Sequence, residues 1–236
     1  MSRIALHRTI TDDLAGEIRS GAWPPGHRIP FEHELMARYG CARATANKAV
    51  HALAAQGLVE RRRKAGTFVA QPHIQSAVLQ IPDIAAEIAA RGQAYRWVRL
   101  GWRIRRGPPD PDATALAPTG AFLEIRGLHL ANAQRFGLEY RLISLAEVPQ
   151  AGDEQFLDTP PGAWLLGHVA WTEGRHEIAA INPDLDQADA LGVPRSRACL
   201  SVKRWTWRVG AGIAFAHQVF PGEAFGLTAR FTPGAG

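Results

Sequence analysis

Apolar residues recur at helical spacing through the first sixty residues, then give way from about residue 94 to short strand-like runs between turns. A chain that changes its hydrophobic period once is expected to build two different units, and 236 residues suffice for two modest domains. Charge divides at the same place. Residues 1–72 hold 11 Lys+Arg against 6 Asp+Glu, and the remainder hold 16 against 16, so the whole net charge of +5 (11 − 6) lies in the first part. A basic module joined to a neutral one points to nucleic acid as the partner of the first.

The basic module reads as three helices and a hairpin. Ile10, Leu14 and Ile18 mark an amphipathic helix from about Thr9 to Ser20, with Asp12 and Asp13 in its first turn; the turn WPPG (23–26) follows. A second helix covers roughly Glu32 to Arg38 and stops at Gly40. In the third, Ala46, Ala49, Val50 and Leu53 share one face, while Arg43, Thr45, Asn47, Lys48 and His51 occupy the other with no acid among them. LVERRRKAGTFVA (58–70) then reads as strand, basic tip and strand. This is the layout of a winged helix-turn-helix, whose third helix enters the major groove. Arg43 can reach a guanine edge or a phosphate, and Asn47 can pair with adenine. Lys48, Arg61, Arg62, Arg63 and Lys64 suit phosphates, His33 can touch a phosphate or nothing, and Gly66 lets the wing backbone approach a groove.

RIPFEHELMARYGCARATANKAVHALAAQGLVERRRKAGTFVA (28–70) resembles the DNA-binding domain of the GntR family of bacterial repressors. Arg43 matches the Arg of that family's Ser-Arg pair, Thr45 its Thr, and Gly66-Thr67-Phe68-Val69 its wing. Two positions depart: Phe31 and Ala42 stand where the family has Ser, and each lost helix cap costs about 0.5–2 kcal/mol.

After a linker-like stretch (73–82), DIAAEIAARG (83–92) reads as a helix capped by Asp83. The strand-like runs AYRWVRLGWRI, FLEIRGLHLA, FGLEYRLISL, ACLSVKRWTWRV and IAFAHQVF follow, with helical interludes expected at 162–168 and 184–191. Strands with a few helices imply an α+β domain over 83–236. QSAVLQIPDIAAEIAARG, LHLANAQRFGLEYRLIS, WTEGRHEIAA, RWTWR and FPGEAFGLTARF together resemble the UTRA effector domain, and within it the group that governs histidine utilisation. The resemblance implies a chorismate-lyase-like fold, a homodimer on near-palindromic operator DNA, and urocanate as the effector.

UTRA domains that read sugar phosphates tend to carry Arg-x-Arg where this chain has Gly127-Leu128-His129, so a phosphate ligand is not expected. Glu139 and Arg141, two apart on a strand, project from one face. Arg141 can fork onto a carboxylate while Glu139 accepts from an imidazole. His129, His176, Trp207 and Phe220 complete the candidate effector site, with Trp205 beside Trp207. Ordinary readings stand next to these: Glu139 and Arg141 as a surface ion pair, the tryptophans as core, His176 as a solvated residue.

MSRIALHRTITDD meets an acid before any apolar stretch, unlike a secretory signal, and no run of about 18 apolar residues exists. With only Cys41 and Cys199, far apart, no disulfide framework is expected, so a cytoplasmic protein is. No His-x-x-x-His or paired-Cys spacing suggests a metal, and no cofactor is expected. An enzyme is the competing class, since the fold implied for the second domain also hosts a lyase, but no nucleophile elbow, phosphate loop or cofactor fingerprint is present. A ligand-independent DNA architectural protein would not need 160 neutral, aromatic-rich residues.

Overall fold

The computed structural model describes residues 6–63, 65–70, 83–107, 111–116 and 119–226. The expected linker, 73–82, lies outside them. The N-terminal unit contains α1 (Leu6–Arg19), α2 (Glu32–Tyr39), α3 (Arg43–Ala55) and an antiparallel wing of β1 (Val59–Arg62) and β2 (Gly66–Val69). Ile10, Leu14 and Ile18 pack with Leu35, Ala46, Ala49, Val50 and Leu53 into one buried core. Alanines at 46 and 49 let α1 and α3 approach closely, and Thr11 Oγ1 reaches the Ala49 carbonyl at 3.5 Å. Because α1 begins at Leu6, Asp12 and Asp13 fall in its second turn, one turn later than the sequence suggested.

Neither α2 nor α3 has a side-chain N-cap. At α2 the loss is partly offset, because Glu34 Oε2 accepts the Phe31 N–H at 2.6 Å. Phe31 has a packing role instead. Arg28 lies 4.4 Å over its ring, His33 stacks on it at 5.7 Å, and a Cβ on Gly66 would stand 3.2 Å from it.

The C-terminal unit is a six-stranded antiparallel sheet in the order β3-β4-β5-β8-β7-β6. Its elements in chain order are α4 (Ile84–Ala90), β3 (Tyr95–Arg106), α5 (Pro111–Thr114), β4 (Ala121–Ala131), β5 (Gln134–Ser144), α6 (Pro161–His168), β6 (Glu173–Ile181), α7 (Leu185–Leu191), β7 (Cys199–Arg208) and β8 (Ala211–Pro221). Asp83 caps α4 by accepting the Ala86 N–H at 3.1 Å, as its position suggested. The strand β6 was not foreseen.

Helices α4 and α6 cover one sheet face, where Trp164 and Leu165 pack with Trp97, Leu123, Ile125 and Ile143. On the other face α7 and the α5 segment cover Leu128, Leu138, Phe122, Leu142, Phe215 and Trp205. Just beyond α6, Ala170 packs into the core of the N-terminal unit, and Thr172 Cγ2 stands 3.5 Å from where a Cβ on Gly57 would lie. Among the described residues no helix is long and apolar enough to cross a membrane.

Candidate functional site

Two surfaces carry the chemistry. On the N-terminal unit, Arg43, Lys48 and His33 are exposed, Thr45 and Asn47 are half-buried, and Arg63 is exposed at the wing tip. Lys64 lies outside the described residues. The wing folds back on α3: Arg61 donates to Asn47 Oδ1 at 2.8 Å and lies 3.5 Å from Glu32 Oε1. One of the two lone pairs of the Asn47 carbonyl is therefore engaged by the wing in this state. Arg62 pairs with Glu60 and stacks 4.7 Å over Phe68. Gly66 sits at φ +114°, in the left-handed region that favours glycine, and its missing Cβ also makes room for Phe31.

The second surface is a narrow, partly open cavity of about 30 Å³ between the N-terminal ends of α4 and α6 and the sheet beneath them. Strand register builds its floor. Ile125, Arg141, Ala216, Arg204 and His176 are paired in one line across β4, β5, β8, β7 and β6. Gly127, Glu139, Gln218 and Val202 form the neighbouring line. Ala216, between the two arginines, leaves space for two guanidinium groups on one face.

Glu139 is the hub, only 1% exposed. Arg141 Nε donates to its Oε1 at 2.7 Å, while Oε2 accepts from His129 Nε2 at 3.1 Å and from the Gln218 amide. The carboxylate can only accept, so the His129 ring carries its proton on Nε2, and Nδ1 is left to meet the Tyr95 hydroxyl at 3.0 Å. Burial alone would raise the Glu139 pKa, but Arg141 and the His129 hydrogen bond outweigh it and hold the carboxyl well below its usual range. Tyr95 is pushed up by burial and by Glu139, so it remains a phenol.

Arg204 lines the same cavity and was not singled out in the sequence. Its Nε donates to His176 Nε2 at 2.7 Å, and its Nη2 is buried without a hydrogen-bond partner among the described residues. Burial and then Arg141 push its pKa down to about 9, which still leaves a cation at neutral pH. Burial and Arg204 push His176 down to about 4, so that ring is neutral and accepts. A second, more apolar chamber lies across Arg141 and Arg204, lined by Leu165, Val169, Trp171 and Ile213.

Of the six effector candidates, His129, Glu139 and Arg141 come together in the cavity, and His176 stands behind its wall as the partner of Arg204. The Glu139–Arg141 pair is buried, not a surface pair. Trp207 packs with Trp205, Phe122 and Phe215 on the opposite sheet face, because residues two apart on a strand share a face and alternation turns both tryptophans away from Arg204. Phe220 packs on Phe225 and Phe136, filling the space above Gly137. Neither lines the cavity. A Cβ on Gly127 would stand 2.3 Å from Trp97 Cη2, so Trp97 fills the space that a side chain at position 127 would need. Among the described residues no cluster of His, Cys, Asp or Glu could hold a metal ion.

The model of bacterial regulatory proteins of the gntR family matches residues 6–69, and that of the UTRA domain matches residues 91–226. The histidine utilization repressor of Pseudomonas aeruginosa is 33% identical over 96% of this chain and 91% of its own length. That of Klebsiella aerogenes is 33% identical over 96% of this chain and 94% of its own. The crystal structure of PhnF from Mycobacterium smegmatis shares the fold, with a TM-score of 0.58 and 20% identity over 98% of this chain and all of that one. The order of units, the wing and the helix-roofed sheet thus agree with both family models, and this chain belongs to the GntR family of bacterial regulatory proteins with a UTRA domain.

Proposed function

We propose that this protein is a homodimeric repressor of histidine-utilisation genes, released from a near-palindromic operator by urocanate. The observation that carries the effector half is the buried Glu139–Arg141 pair, an acid and a base 2.7 Å apart beneath a cavity, beside a strand that lacks the phosphate-reading arginines. The likeness to histidine utilization repressors along almost the whole chain supports the operon. A two-fold dimer places two recognition helices on two half-sites. Helix α6 begins at the cavity and is followed by Ala170 in the core of the DNA-binding unit, so a ligand that moves α6 has a short route to the heads. By linkage, operator DNA weakens urocanate binding by the same factor that urocanate weakens DNA binding.

The test is fluorescence anisotropy with DNA from histidine-degradation promoters at one fixed salt concentration. Urocanate is titrated in, with histidine and a sugar phosphate as controls. Release by urocanate alone is the expected result. Tight binding indifferent to urocanate discards the effector and keeps the DNA-binding protein, and turnover of urocanate would favour an enzyme.

A further inference from the structure

We infer that Arg204 is the residue on which the anionic end of the effector closes, and that the cavity selects a monocarboxylate carrying no ammonium beside its carboxylate. This rests on the reading of the cavity as the effector site.

Burial and bonding of Arg204 come first. The side chain is 6% exposed and belongs to a residue that lines the cavity, its Nε is held by His176, and its Nη2 is buried with no partner among the described residues. An unmade bond on a buried charged donor is costly, and a ligand oxygen supplies the missing acceptor.

Charge is the second observation. Arg141 and Arg204 both lie on the cavity floor, and among the described residues Glu139 is the one buried carboxylate facing them. All three donors to Glu139 belong to other residues, namely Arg141, His129 and Gln218. Asp83 stands at the exposed rim, already engaged by the Ala86 N–H. The interior therefore holds one positive charge more than it balances.

A third observation concerns α6. It has eight residues, with Gly162 and Ala163 in its first turn on the cavity wall, where N–H groups have no acceptor within the helix. A Cβ on Gly162 would stand 2.9 Å from Arg141 Nη2, so glycine lets this positive helix end and the guanidinium converge on one spot.

The same arrangement disfavours an α-amino acid. Its ammonium would sit within the reach of two guanidinium groups, and three donors already draw on the one buried carboxylate among the described residues that could offset them, Glu139. An α,β-unsaturated or saturated acid without the amine meets no such penalty.

The test uses the full chain, with thermal shift and isothermal titration against urocanate, cinnamate, the amides of both acids, and histidine. Acids are expected to bind wild type at least 30-fold more tightly than their amides or histidine, and Arg204→Gln should erase that preference. Without ligand, Arg204→Met should melt at or above the wild-type temperature, since it removes an unbalanced buried charge. Equal preference for acids in wild type and Arg204→Gln overturns the proposal. So does a melting temperature several degrees lower in unliganded Arg204→Met, which would make the residue structural, and so does a wild type that binds none of the acids. If cinnamate binds through Arg204 and urocanate does not bind, the residue assignment stands and the urocanate reading falls.

Discussion

Replacing Glu139 by Gln tests the hub of the cavity directly, because the amide keeps the shape while removing the charge and turning one acceptor oxygen into a donor among donors. Glu139 is 1% and Arg141 4% exposed, and the distance between them is 2.7 Å. In the variant, Arg141 and Arg204 face each other across Ala216 with no anion between them. Breaking a buried ion pair from one side typically costs about 3–5 kcal/mol. At roughly 2–4 °C per kcal/mol for a unit of this size, the melting temperature should fall by about 6–20 °C. Tryptophan fluorescence follows the right unit, since six of the seven tryptophans lie beyond residue 72. The pH profile adds a signature. Arg141 and His129 hold the folded-state pKa of Glu139 below its ordinary value, so its contribution is complete above the unfolded carboxylate's pKa of about 4.3. It is lost as pH falls through the depressed folded value. The gap between wild type and E139Q should therefore be constant from pH 8 to about 5 and close in acid. Adding Arg141→Met should recover part of the loss, since it removes one of the two stranded cations. A variant melting within about 2 °C of wild type, with a parallel pH profile, would refute the account of Glu139 as the counter-ion that holds this floor together.

Three further outcomes follow from particular contacts. Arg43→Ala should cost about 1–3 kcal/mol on the specific operator if Arg43 reads a base; an equal loss on all sequences, measured by anisotropy at fixed salt, would make it a phosphate contact. Gly162→Ala places a methyl 2.9 Å from Arg141 Nη2, whose side chain is too buried to give way freely, so urocanate should bind roughly 10-fold more weakly with operator affinity unchanged. An unaltered urocanate titration would show that α6 and Arg141 need not converge. Phe31→Ser restores a helix cap worth about 0.5–2 kcal/mol but removes the ring that Arg28, His33 and Gly66 share, so operator affinity should fall even if α2 is firmer. Tighter operator binding by that variant would show Phe31 to be only a lost cap.

How much of this was legible in the sequence depended on whether a property is local. The helices of the DNA-binding unit could be read because Ile10, Leu14 and Ile18, then Ala46, Ala49, Val50 and Leu53, carry the helical period on adjacent turns, and all are buried. Five of the six sheet strands could be read from alternation and turns. The sixth, β6, could not, because it is an edge strand whose residues are mostly exposed, and EGRHEIAAI shows no apolar alternation. Glu139 and Arg141 were found because residues two apart on a strand share a face, a local rule. Whether that pair lay on the surface or in the interior was not local; the covering helices α4 and α6 decided it.

Arg204 shows the same limit from the other side. Within RWTWR the tryptophans draw attention, yet alternation sends Trp205 to the opposite face and leaves Arg204 inward with Val202. That inward place was available from the sequence: an arginine in phase with a buried valine on a central strand must find an acceptor, a partner or a ligand. Its neighbours were not available, because they come from the pairing of β5, β8 and β7. The small residues around it are the legible trace of the space it needs. Ala216 lies between Arg141 and Arg204, Gly162 admits a helix end to Arg141, and Gly127 admits the Trp97 ring. Larger side chains at these positions would fill the volume that two cations and an anion must share. The specificity of the cavity therefore rests as much on where the chain is small as on where it is charged.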